Sequence, residues 1–141
     1  PAVQALVLTP TRELAIQVCQ AMRGFRLSGR PKVLALYGGQ SIERQQEQLN
    51  RGTQIVVGTP GRVLDLLNRG SLSLNSLGWL VLDEADEMLN MGFIQDVEKI
   101  LSKAPADRQT AFFSATMAPE IRELATKYLH SPVTVTVQSP K

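Results

Sequence analysis

The 141 residues contain one cysteine and one histidine. Cys19 has no partner for an internal disulfide, which excludes a disulfide-stapled scaffold and makes a reducing, cytoplasmic setting the expectation. Within a helical pattern, Cys19 reads as a buried structural thiol. His130 stands at an expected helix end before Ser131-Pro132, where a cation is favoured. With no second His and one Cys, an imidazole–thiolate metal centre is excluded. No apolar stretch nears the roughly 20 residues that span a bilayer, and no signal-peptide pattern is read at the start, so no membrane association is expected. There is no low-complexity tract, charge block or long linker, which points to one domain. The net charge of +2, from 15 basic and 13 acidic residues, neither demands nor excludes nucleic acid.

What is present is a regular alternation. The chain is 43% hydrophobic and 20% charged, ordinary for a globular domain. β-rich runs (Val3–Leu8, Lys32–Leu36, Gln54–Val57, Trp79–Leu82, Thr110–Phe113, Val133–Val137) alternate with helical patterns. The helices are expected at Thr11–Leu27, Ile42–Leu49, Arg62–Leu67, Ile94–Leu101 and Glu120–Leu129. Several strands are near-continuous apolar runs, as when helices cover both faces. The pattern predicts a doubly wound α/β domain on a mainly parallel sheet. Trp79, Met88, Met91 and Phe93 are expected to pack in a core.

In such sheets ligands bind beyond the carboxyl ends of the strands. There the apolar run Trp79–Leu82 turns abruptly acidic, at Asp83-Glu84-Ala85-Asp86. Asp83 should emerge at the rim, with Glu84 and Asp86 in the turn beyond. Hard oxygen ligands at an accessible rim suit Mg²⁺, which keeps several waters and uses one or two carboxylates plus substrate phosphates. A solvated acidic loop capping the next helix is the other reading.

Two further strand ends share a grammar, Thr9-Pro10-Thr11-Arg12 and Thr59-Pro60-Gly61-Arg62. Thr9 and Thr59 are N-cap candidates, with Pro10 and Pro60 at the first helical position. Arg12 and Arg62 then oppose the helix dipole unless an anion binds. Free N–H groups plus an arginine make a phosphate clamp. Pairing with Glu13 or Asp65 is the alternative. Ser114-Ala115-Thr116 closes another strand and could hydrogen-bond the acidic cluster or serve as a turn. Gly38-Gly39 requires only a tight turn or a close backbone approach.

These motifs, in this order, resemble the DEAD-box RNA helicases: Pro10-Thr11-Arg12-Glu13-Leu14-Ala15, Gly38-Gly39, Thr59-Pro60-Gly61-Arg62, Asp83-Glu84-Ala85-Asp86 and Ser114-Ala115-Thr116. The resemblance covers most of the chain, and the stretch Asp83–Phe93 looks like the bacterial form. It implies a three-layer, RecA-like domain of the P-loop NTPase class. It also implies that Asp83 holds Mg²⁺ through water and that Glu84 orients and deprotonates the attacking water. Asp86 would link that site to Ser114, Ala115 and Thr116, the element that couples ATP hydrolysis to strand separation. Pro10, Thr11, Arg12, Gly38, Gly39, Thr59, Gly61, Arg62 and Asp65 would line the track for the RNA sugar-phosphate backbone.

One departure is plain. A Walker A loop, GxxxxGK[ST], cradles the β- and γ-phosphates, and none of the ten glycines is followed by lysine. The family's adenine-recognising Q motif and its second RecA-like domain, a partner in the parent protein, are not found in these residues either. The chain reads as an interior part of domain one, without its first β–loop–α unit. It is expected to bind ATP and Mg²⁺ weakly by itself. In the family that unit's strand lies between the strand ending at Ser114 and Val133–Val137. Its loss leaves three outcomes open: Val133–Val137 pairs with Thr110–Phe113, another chain fills the slot, or the C-terminal strand detaches; a shifted strand or an oligomer is the expectation. Two other classes stay open: a P-loop NTPase outside the helicases, and a non-enzymatic RNA-binding module. A GKT-containing loop upstream in the gene would favour an enzyme.

Overall fold

The computed structural model describes residues 2–25 and 28–137. Five strands alternate with helices: β1 (Ala5–Leu8), α1 (Arg12–Gly24), β2 (Val33–Leu36), α2 (Ile42–Asn50), β3 (Ile55–Gly58) and α3 (Pro60–Asn68). β4 (Trp79–Leu82), α4 (Ala85–Asn90), α5 (Ile94–Lys103), β5 (Gln109–Phe112) and α6 (Pro119–Tyr128) follow. The sheet has the order β2-β3-β1-β4-β5, and every pair is parallel. The expected α/β class and parallel sheet are observed.

The apolar strands divide their side chains between two layers. Leu6, Leu8, Val56, Leu80 and Leu82 join Val63, Leu66, Met88, Val97, Ile100 and Ile121 in the larger core. On the opposite face Val33, Ile55 and Val57 pack with Ala15 and Cys19 of α1. Cys19 is buried, and burial pushes its thiol up, against a smaller lowering by the charge of Arg23. The structural reading of this thiol stands. Registers of Leu8 with Gly58 and with Leu82, of Leu36 with Gly58 and of Leu82 with Phe112 bring all five strand ends to one rim.

Gly58 marks where that rim is tightest. A Cβ there would lie 2.5 Å from Val63 Cγ2 and 2.8 Å from the Leu36 carbonyl oxygen. Only glycine lets α3 leave β3 at this angle.

Several expectations need correcting. Val133–Val137 is not a strand. It has no regular secondary structure and no partner in the sheet, with Val133, Val135 and Val137 exposed by 89%, 81% and 87%. α1 covers the face of β2 and β3, but cover thins toward β5, where Trp79 and Phe113 are each 58% exposed. Beside β5 the segment would gain ladder bonds but no covering layer for its valines, so strand propensity alone does not hold it there. Trp79 and Met91 are exposed rather than core residues, whereas Met88 is buried. α4 was not anticipated, and it places Asp86 inside a helix rather than in a turn. α1 ends at Gly24, capped at Phe25; the expected end at Leu27 lies outside the described residues.

Candidate functional site

The rim is built by backbone ladders that run one residue past the strands. The Thr9 N–H donates to Gly58 O at 2.9 Å, Thr59 to Leu36 O at 3.0 Å, Asp83 to Leu8 O at 2.9 Å and Phe113 to Leu82 O at 2.8 Å. Each strand end is therefore fixed before its loop begins.

The two Thr-Pro-x-Arg segments do not start their helices alike. At β3, Thr59 is the N-cap and Pro60 the first helical residue, as expected. The Thr59 side chain makes no capping bond. At β1 the cap is Thr11, whose Oγ1 accepts from Leu14 N at 3.1 Å. Thr9 is buried and donates its hydroxyl to Thr11 O instead, and Pro10 lies buried outside the helix. The expected Thr9 cap is corrected. A hydroxyl two residues on satisfies a first-turn N–H that Thr9 would have to reach around Pro10. Pro10 thus shapes the rim from beneath.

Both arginines converge on the loop that follows β2. Arg12 lies over the Tyr37 ring at 5.1 Å, and its Nη1 is 3.8 Å from where a Gly39 Cβ would sit. Gly39 has φ +81°, a conformation that glycine adopts freely. Arg62 Nη1 donates to Gln40 O at 3.1 Å and to Gln45 Oε1 at 2.8 Å. Gln45 is 4% exposed and donates from Nε2 to Tyr37 O at 3.2 Å. Neither arginine pairs with the acids that might have claimed it; Asp65 is bonded by Arg69 at 3.0 Å. Their charge is held in place yet not neutralised, which is what an anion requires. Gly38 and Gly61 have nothing within 4 Å of an added Cβ, so both expose backbone to solvent at this rim.

At β4 the chain turns sharply. Glu84 has φ 53° and ψ 54°, left-handed backbone that a non-glycine residue adopts only at a cost. The turn is held because buried Ala85 donates its N–H to Phe113 O at 2.9 Å while Glu84 O accepts from Glu87 and Met88. Among the described residues, neither the Asp83 nor the Glu84 carboxylate has a hydrogen-bond or ion-pair partner, so both are available. No group of three or more His, Cys, Asp or Glu side chains forms a metal cage there. A hydrated Mg²⁺ needs less: one or two free carboxylates at an open rim fit it.

Asp86 is the junction. Its Oδ2 accepts from Thr116 N at 3.2 Å and from Thr116 Oγ1 at 3.1 Å, while its own N–H donates to Ser114 Oγ at 3.2 Å. The Ser114 hydroxyl in turn donates to Thr116 O. Partial desolvation would raise the Asp86 carboxyl. Hydrogen bonding by Thr116 and Ser114 and by the Glu87 and Thr116 N–H groups outweighs it and holds the group below its ordinary value. Ala115 is exposed between the two hydroxyl residues. The structure thus joins Asp86 to Ser114 and Thr116, and gathers Thr11, Arg12, Gly39, Thr59, Gly61 and Arg62 along the neighbouring strand ends. Tyr37, Gln40 and Gln45, which hold the arginines, were missed. Gln45 is one of three glutamines in four residues, and nothing in the sequence marks which of them turns inward.

Comparisons with known proteins point to one family. The family model described as DEAD/DEAH box helicase matches residues 1–124. RNA helicase CrhR of Synechocystis is 62% identical over 135 residues, covering 96% of this chain and 27% of that protein. ATP-dependent RNA helicase DeaD of Escherichia coli is 56% identical over 137 residues, covering 96% of the chain and 22% of its own length. A solved DEAD box protein from Methanococcus jannaschii superposes with a TM-score of 0.89 at 50% identity, covering 93% of this chain and 36% of that one. The chain spans about a quarter of the length of these curated relatives.

Proposed function

This chain belongs to the DEAD/DEAH box helicase family, and we propose that it is part of the first RecA-like domain of an ATP-dependent RNA helicase. Asp86 carries this reading. Its bonds to Thr116 and Ser114 tie the carboxylate turn after β4 to the strand end after β5, so a change at one must be felt at the other. Asp83 would hold Mg²⁺ through water. Bound there, the ion would neutralise charge on the β- and γ-phosphates of ATP. Glu84, exposed and without a partner among the described residues, would orient the attacking water and take its proton. Arg12 and Arg62, with the open backbone at Gly61 and Gly39, would grip phosphates of an RNA strand, which accounts for binding indifferent to base sequence. Thr11, Thr59 and Gly38 frame that track, while Pro10 and Asp65 support it. A second RecA-like domain would close over this rim.

The test is a parent-length protein carrying Glu84→Gln. RNA-stimulated ATP hydrolysis should fall by at least about 10²-fold while ATP and RNA still bind. Hydrolysis near the unmodified rate would overturn the role given to Glu84. In the 141-residue chain, catalysis by positioning has nothing to fix the triphosphate. Titration with Mg²⁺–ATP should give no saturable signal below millimolar concentration. The open outer edge of β5 and the exposed valines of Val133–Val137 support self-association of this chain at high concentration.

A further inference from the structure

Between α1 and α2, floored by β2, lies a groove of about 300 Å³ that the rim residues do not use up. Two charged side chains line it, Arg23 and Arg44, and no acid does. Arg23 is anchored by Nη2 to Val33 O at 2.7 Å, which leaves its other donors free to face the groove. Arg44 is exposed, and its guanidinium has no hydrogen-bond or ion-pair partner among the described residues. The acids of α2 are engaged elsewhere: Glu43 accepts from the Ser41 hydroxyl at 3.1 Å, and Glu47 pairs with Arg51 at 2.7 Å. Tyr37, Gln40 and Gln45 line the groove as well, and these are the residues that hold Arg12 and Arg62. The groove therefore continues the rim without a break.

We propose that this groove takes further phosphates of the RNA strand, one beside Arg44 and one beside Arg23, leading it off the rim along the α1–α2 face. Excess positive charge with no acid in the lining favours a polyanion. A side-chain anchor at Arg23 lowers the ordering cost of contact. Continuity with Arg12 and Arg62 makes that polyanion the strand already on the rim. The inference rests on the reading of the rim as an RNA track.

Fluorescence anisotropy of the 141-residue chain with labelled oligouridines of about four and about ten nucleotides separates the two ideas. The Arg23→Gln/Arg44→Gln pair should leave the short strand's affinity unchanged. It should weaken the long strand about tenfold and lower its log–log salt slope by about 1.4, at about 0.7 per lost phosphate contact. Arg44→Glu alone, at an exposed position, should weaken the long strand selectively, and Arg44→Lys should preserve both affinity and slope. Arg62→Ala should weaken both lengths. If Arg62→Ala acts on both strands but the groove variants do not discriminate between them, the groove proposal falls and the rim reading stands. If neither length shows salt-dependent binding, or Arg62→Ala changes nothing, the rim reading falls and the groove goes with it.

Discussion

Thr9-Pro10-Thr11-Arg12 and Thr59-Pro60-Gly61-Arg62 differ at one position in four, yet they start their helices two residues apart. Threonine at the third position supplies a capping oxygen, so α1 begins at Arg12 and its first turn is satisfied by Thr11. Glycine supplies none, so the cap retreats to Thr59 and α3 begins at Pro60 with open N–H groups beside Arg62. One segment is self-capped, with its arginine stacked on Tyr37; the other is open, with its arginine bonded to Gln40 and Gln45. A shared motif can thus divide labour. The β1 segment caps its own helix, and the β3 segment leaves the first turn of its helix without a side-chain cap.

The sharpest way to test that division is at the arginines. Arg62→Ala leaves Oε1 of buried Gln45 without its donor, which should cost about 1–3 kcal/mol of unfolding free energy in urea melts. Arg12→Ala removes only an exposed cation–π contact and should cost less than about 1 kcal/mol. Both should weaken single-stranded RNA regardless of sequence. Equal destabilisation would erase the distinction.

The caps come next in size. Thr11→Ala should cost about 1 kcal/mol, the usual value of an N-cap, while Thr59→Ala loses no capping bond and should change stability far less. Thermal melts of the two variants decide it, and the reverse order would mean that the caps are misassigned. Smaller still is Gly61→Ala. The added methyl meets nothing within 4 Å and restrains the unfolded chain, so stability should rise by about 0.5 kcal/mol. RNA affinity should nevertheless fall, because the methyl stands where a phosphate would approach. Unchanged affinity would place the strand elsewhere.

A third strand end sets the scale for charge. The Asp86 carboxyl is held below its ordinary value of 3.8, so its contribution to stability is complete above that value and is lost as pH falls through the lower, folded one. Acid titration followed by NMR should show the Thr116 amide signal moving with Asp86 and lying below the titration of exposed aspartates. In Asp86→Asn the difference should vanish.

The parallel sheet, most helices and the strand-end location of every motif could be read from the chain, because period, apolar runs and Pro–Thr punctuation act locally. α4 could not: its six residues are too few for periodicity, and the left-handed turn at Glu84 that launches it is imposed by the Ala85–Phe113 bond. Val133–Val137 reads as a strand on propensity alone, but a strand requires a partner and a covered face, and neither is a property of the segment itself. The arginine supports were hidden for the same reason, since Gln45 is distinguished only by what packs on it.

The position of β1 has a consequence for how the molecule is made. Among the described residues it is the central strand of the sheet, where Ala5 pairs with both Ile55 and Trp79, segments about 50 and 74 positions further along the chain. When these 141 residues refold, β1 stays apolar and unpaired until both segments arrive. Such long-range closure slows folding and leaves a sticky intermediate. Yield from dilution refolding should therefore depend steeply on protein concentration, set by the interval in which Ala5–Leu8 has no neighbour.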